Sequence, residues 1–201
     1  MATTSPLWHP NNSQEIRSTM NLKNHFLMAM PELSGDYFGN TLTYICEHND
    51  DGAMGIVVNR PTDVSILELL AKLNMEHERR WVEQLVLDGG PVAQDRGFVL
   101  YRGEQEFGTS VDVAENVRLS TAIDTLTAIA TGKGPENFLI ALGYAGWGEG
   151  QLESEISRNS WLTVEATPEI LFDTPAEKKL QAAAQLLGID FNLIATQPGH
   201  G

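Results

Sequence analysis

The fold class predicted by this 201-residue chain is α/β in the broad sense, α+β in detail: strands and amphipathic helices in one chain. Three observations predict it. Thr41–Pro61 has the pattern of strand, tight turn and buried strand. Segments opening at Ser65 and Thr174 have the start signals and apolar spacing of amphipathic helices. Phe138–Leu142 is a continuous apolar run between a Gly-Pro stop and a glycine-rich stretch, as expected of a central strand.

The hairpin organises the rest. Leu42, Tyr44 and Cys46 alternate with Thr41, Thr43 and Glu47, the period-two pattern of a half-buried strand, although Ile45 makes the second face partly apolar. Asn49-Asp50-Asp51-Gly52 supplies turn chemistry, and Gly55-Ile56-Val57-Val58 is apolar and β-branched, as a strand covered on both faces should be. Pro61 cannot donate to a ladder, so the second strand should stop before it.

Upstream of the hairpin, residues 1–19 are polar and aperiodic and are expected to be a disordered extension, or to precede a true start at Met20; Trp8 is the one partner anchor they offer. His25–Met30 is a predicted first strand and Ser34–Gly39 a loop.

After Pro61, Ser65 and Glu68 form a capping-box pair, and Ile66, Leu69, Leu70 and Leu73 share one helical face. Asn74–Glu83 is charged and predicted to be exposed loop. Leu85–Leu87 is a short strand leading into Asp88-Gly89-Gly90-Pro91, where paired glycines permit backbone geometry that other residues resist. Phe98–Tyr101, Val111–Val113 and Val117–Leu119 are further strands. Ser120 is placed to cap a helix with Ile123, Leu126, Ile129 and Ala130 inward, ended by Gly132 and Gly134-Pro135.

Beyond the central strand, Gly143–Gly150 is predicted to be a loop feeding a short helix at Gln151, and Trp161–Ala166 a strand. Thr174-Pro175-Ala176-Glu177 has the form of a second capping box, with Leu180, Ala183, Ala184 and Leu187 inward and Gly188 as the stop. Residues 20–195 are therefore expected to form a single domain and 196–201 a flexible tail.

Several of these stretches occur together in one order. They are Phe26–Pro31, Thr41–Pro61, Asp88–Val92, Gly143–Trp147 with Gly150–Glu153, and Asn159-Ser160-Trp161. In that order and combination they resemble the AlgH/YqgE-type family of small bacterial proteins, over roughly Met20 to Leu193. The resemblance implies a bifurcated β-sheet that includes a small closed barrel, with helices around it. It implies no agreed activity; some members carry the label of transcriptional regulator. Asn40 stands about where many members have arginine, so an anion-binding role at that point does not carry over.

Composition excludes some function classes. The formal charge is −14, from 13 Lys and Arg against 27 Asp and Glu, with no basic stripe, which argues against direct nucleic-acid binding. Cys46 is the single cysteine, so no intramolecular disulfide can form, in keeping with a reducing cytoplasm. No apolar run is long enough to span a membrane, and no basic segment followed by an apolar one marks a secretory signal.

The chemical candidates are few. Cys46 and His48 are two apart on a predicted strand and so share a face, but their side chains would sit roughly 7 Å apart, too far for direct proton transfer. His48 is expected to be solvated beside the turn. Glu47, His48, Asp50 and Asp51 match neither calcium-loop nor zinc spacing, so no metal is expected, and no cofactor. Gly143–Gly150 lacks both the dinucleotide fingerprint and a P-loop lysine, and acids surround the helix start.

What remains is a candidate cleft of Gly89, Gly90, Pro91, Gly146, Trp147, Gln151, Glu155, Asn159 and Trp161. Gln151 and Glu155 lie one helical turn apart on the same face, and tryptophan with a few fixed polar groups suits either a docking surface or a buried network that fixes a turn. The sequence therefore points to a non-enzymatic binding or regulatory protein, monomeric or weakly oligomeric, that holds a protein or peptide in a shallow apolar cleft. The alternative is a hydrolase using Glu153 or Glu155 as acid or base.

Overall fold

The computed structural model describes residues 21–30, 36–77 and 84–190. The expectations for the N-terminal extension and the C-terminal tail lie outside these residues, as do parts of the loops predicted at Ser34–Gly39 and Asn74–Glu83.

Ten strands and four helices follow in chain order. β1 (His25–Ala29) precedes the hairpin of β2 (Leu42–Asn49) and β3 (Gly52–Val57). β4 (Pro61–Ser65), α1 (Ile66–Lys72) and β5 (Leu85–Asp88) come next, then β6 (Val92–Arg102), β7 (Ser110–Ala114), β8 (Val117–Ser120) and α2 (Ile123–Ala130). β9 (Phe138–Gly148), α3 (Gln151–Ser157), β10 (Trp161–Glu165), a π-helical turn (Glu169–Asp173) and α4 (Ala176–Leu186) complete the described chain.

The sheet runs β10-β1-β2-β3-β9-β6-β8-β7, with β4 and β5 as a side branch. All pairings are antiparallel except β5 with β9. The fold is thus α+β and the sheet is branched. It is not closed: β10 and β7 are separate ends of one path, which corrects the expectation of a small closed barrel.

The branch lies on β9. Leu87 and Asp88 pair with Ala141 and Leu142, whereas Gly52–Gly55 pair with Gly148–Ala145. Gly143, at φ +75°, sits between the two registers, in a conformation that glycine adopts without a Cβ penalty. Gly89 and Gly90 press against this switch. A Cβ on Gly90 would lie 2.0 Å from the carbonyl carbon of Tyr144, and one on Gly89 would lie 2.4 Å from the oxygen of Gly143. The double glycine is therefore a main-chain contact that lets the two branches meet.

Gly143–Gly148 is strand and not the predicted loop; pairing with β3 overrides what a glycine-rich stretch does locally. Pro61 does follow the end of β3, but it also opens β4, at the edge of the side branch.

The α1 capping box forms as predicted, Ser65 and Glu68 each accepting the other's main-chain N–H. The other two predicted caps do not form. The hydroxyl of Ser120 accepts from Ala122 N–H and donates to the Thr109 carbonyl, so it holds a turn before α2. Thr174 donates back to Glu169 O and so belongs to the π-helical turn, leaving Pro175 to precede α4.

Three apolar clusters make the core. One surrounds Phe26, Tyr44, Cys46, Ile56, Phe98 and Leu100 beneath α4, and a second packs α1 and α2 against β5, β6 and β9. The third lies under α3 around Ile45, Ala53, Trp147, Leu152 and Trp161. Ile123 and Leu187, predicted to face inward, are 56% and 40% exposed. Lys179 instead occupies the buried face of α4, where its ammonium donates to Leu171 O at 2.7 Å.

Candidate functional site

Strand alternation gives the three-stranded stretch β2–β3–β9 two unlike faces. The row His48–Ala53–Trp147 faces α3, and the row Glu47–Met54–Gly146 faces the other way. A bulge between Ile45 and Glu47 inserts Cys46, and this extra residue decides which side each later residue takes. Cys46 falls in the α4-side cluster and His48 joins the α3 side, so the expectation of a shared face is corrected.

On the α3 side Glu155 is the hub. Its Oε2 accepts from Trp147 Nε1 at 2.9 Å and Trp161 Nε1 at 2.8 Å, while Oε1 accepts from Gln151 Nε2 at 3.0 Å. The Gln151 oxygen in turn accepts Gly148 N–H at 3.0 Å. The two indoles meet edge to face with centroids 5.9 Å apart, and Phe38 packs on both. Four predicted site residues are thus brought together in a hydrogen-bonded network between β9, α3 and β10, half-buried at Glu155 and exposed at Gln151. Asn159 is not in it: at φ 59° it ends α3, where its own N–H and that of Ser160 close the last turn onto Ile156 O and Glu155 O. Gly89 and Gly90 lie apart, buried at the branch, with Pro91 exposed beside them.

His48 is buried, not solvated as expected. Leu22 N–H, which can only donate, bonds Nδ1 at 2.9 Å; Nε2 therefore carries the ring proton and donates to Glu153 Oε1 at 2.8 Å. Both ring nitrogens are engaged, so the ring has no free lone pair with which to act as a base. Burial pushes the Cys46 thiol far above its ordinary range, against nucleophilic use. Glu153 and Glu155, the carboxylates of the hydrolase alternative, both accept structural hydrogen bonds.

Sequence reasoning missed a second polar cluster. Tyr37 donates its hydroxyl to Asp88 Oδ1, and the Arg60 guanidinium lies over the Tyr37 ring, bonds Tyr37 O at 2.6 Å and approaches Asp88 Oδ2 at 3.9 Å. Burial and the neighbouring Asp88 carboxylate push the Tyr37 phenol up to about 12. The cluster ties the 36–40 turn to the start of the side branch. Only the Asp-Gly-Gly motif hinted at it, because its members are 51 and 23 residues apart in sequence. Asn40, at φ 58°, accepts from Asn59 Nδ2 through its main-chain carbonyl at 2.9 Å.

The opposite face of β2–β3–β9 is buried at Tyr44 and Ile56 and, among the described residues, open at its hairpin end. An open depression of about 500 Å³ lies over it, with Ala53, Met54, Phe98, Tyr144, Gly146 and Trp147 among its lining. Glu47, Asn49, Asp51 and Gly52 of the hairpin form one wall and Arg96 stands in the other. Glycines at 52, 146 and 148 contribute no side chains to this end of the sheet. Among the described residues no group of three or more His, Cys, Asp or Glu is placed to hold a metal ion, and no helix is long and apolar enough to cross a membrane.

Fold and site together define an α+β domain with a branched sheet, one face braced by a tryptophan–carboxylate network and the other left as an open groove. A family model described as AlgH-like matches residues 26–192. The UPF0301 protein of Nitrosospira multiformis is 46% identical over 183 residues, covering 90% of this chain and 98% of that one. A UPF0301 protein of Vibrio vulnificus is 44% identical over 186 residues, covering 90% and 100%. The solution structure of the AlgH protein from Pseudomonas aeruginosa superposes with a TM-score of 0.75 at 43% identity, covering all of both chains. A crystal structure from Corynebacterium diphtheriae, at 17% identity, TM-score 0.71 and coverage of 89% and 94%, shares the fold. The chain belongs to the AlgH-like family, whose function is uncharacterised.

Proposed function

We propose that this protein is a binding protein that holds a protein or peptide partner in the groove over β2, β3 and β9, with a regulatory outcome. The observation that carries the reading is the contrast between the two faces of one sheet. On one face the polar groups are spent on each other; on the other, glycines open a depression of about 500 Å³ with an apolar floor and charged walls. That volume and mixture suit recognition of a few side chains. With a formal charge of −14, contact with a protein, and not with DNA, is the route by which such a molecule would influence transcription.

Site-specific photocrosslinking in living cells tests this. A benzophenone side chain replacing Met54 should give a discrete adduct that Gly146→Leu removes, since the new side chain fills the floor. The same probe at Val111, which is 56% exposed on β7, should not give that adduct. Identical adducts from both positions, or none from position 54, would remove the groove as the binding surface.

A further inference from the structure

We propose that the occupant of this groove is an extended protein segment, carrying basic and apolar side chains, that adds as a strand to the free edge of β9 at Gly146. The inference rests on the groove being the binding surface and goes on to name the class of partner.

The edge is visible in the register. β6 begins at Val92, opposite Tyr144, so among the described residues β9 has no strand partner on that side beyond Tyr144. Its other side is taken by β3 through to Gly148. Gly148 donates its N–H to the Gln151 side chain and not into a ladder. Main-chain groups alternate along a strand, so Gly146, two residues earlier, directs its N–H and C=O toward the same unpaired side. An unpaired edge with nothing covering it is a template for an incoming strand. Gly146 is exposed, so its main-chain groups on that side are accessible to one.

The walls say what such a strand carries. Glu47 and Asp51 stand on the hairpin wall, against Arg96 alone on the other, and among the described residues neither carboxylate is paired with a cation. Together with the strongly acidic chain they favour a basic segment and disfavour a second copy of this protein. Met54 and Tyr144 on the floor are half-buried and offer apolar contact to the residues between the basic ones.

The test uses the full ¹⁵N-labelled chain and a capped octapeptide of alternating valine and lysine. Two further versions carry N-methyl groups on one alternate set of amides or on the other. Strand addition uses only the set facing β9, so methylating that set should weaken binding at least ten-fold while the other version binds like the parent. The parent should shift the Gly146, Gly148 and Met54 amide signals and slow hydrogen exchange at Gly146. Gly146→Pro should lose the effect with its spectrum otherwise retained, because proline removes the edge N–H and is tolerated on an edge strand. Glu47→Lys should weaken binding several-fold without touching the floor. Equal binding by all three peptides would overturn strand addition while leaving the groove reading in place. Shifts confined to Glu47 and Asp51, or none in the groove, would overturn the proposal, and the crosslink from position 54 then decides separately whether the groove binds anything.

Discussion

Trp147 and Trp161 donate their indole N–H groups to the same oxygen, Glu155 Oε2, at 2.9 and 2.8 Å. The indoles come from β9 and β10, which lie at different places in the sheet, so one carboxylate on α3 fixes both. Both tryptophans are buried, and a buried donor without an acceptor forfeits its hydration. Glu155→Ala should therefore cost about 2–4 kcal/mol, read as a lower urea midpoint at unchanged slope. Glu155→Gln keeps one acceptor oxygen and should cost less. Loss in Glu155→Ala no greater than in Ser154→Ala, on the exposed side of α3, would show that the network adds nothing to stability.

His48 makes the equivalent tie on the hairpin side. Its ring takes the Leu22 N–H and gives its own to Glu153, joining the segment before β1 to β2 and α3. His48→Ala strands the Leu22 amide and should cost about 1–3 kcal/mol. The local signature is hydrogen exchange: the Leu22 amide should lose protection by more than amides of β6 do. Uniform loss across the sheet would mean that the ring acts only through general packing.

What the sequence disclosed, and what it withheld, follows the range of the interactions. The Ser65–Glu68 box and the helix-ending roles of Gly132 and Gly188 rest on contacts within a turn and were legible. Gly143–Gly148 was misjudged because its strand state is imposed by β3, some ninety residues earlier in the chain. The Trp147–Gln151–Glu155–Trp161 association was legible from spacing, but whether it faces solvent depends on Phe38, whose contacts are long-range. Cys46 and His48 were misjudged for one reason: a single bulge residue reverses the alternation after it, and no local pattern marks that residue.

The glycines separate into those a side chain would displace and those it would not. Gly90, at φ +151°, has the Tyr144 carbonyl 2.0–2.2 Å from where a Cβ would sit, whereas nothing lies within 4 Å at Gly97. Gly90→Ala must push the two sheet branches apart and should cost upwards of about 3 kcal/mol, enough to deplete the folded protein. Gly97→Ala should change stability by less than about 1 kcal/mol in either direction. Thermal unfolding of the two variants side by side checks this. A mild Gly90→Ala would mean that the branch point is plastic and the double glycine dispensable.

Lys179 gives a pH dependence whose sign can be worked out. Burial lowers its ammonium from the usual 10.5 to about 8. Between these values the unfolded chain holds the proton and the folded one does not, so stability attributable to Lys179 rises with pH. The contribution is complete above about 10.5 and lost as pH falls to about 8, a difference on the order of 3 kcal/mol. Cys46 and Tyr37 act in the opposite sense. Burial raises both above their ordinary 9.0 and 10.0, so the unfolded chain sheds those protons first and stability falls from about pH 9 through the thiol and from about pH 10 through the phenol. The lysine is therefore isolated by difference, with Lys179→Met as the reference, since methionine keeps the unbranched chain without the charge. Near neutral pH the variant should match or exceed the parent in urea stability, because the parent buries a full charge against one carbonyl. From about pH 8 to about pH 10 the parent should gain on the variant, and parallel curves across that interval would show that Lys179 keeps its proton in the fold.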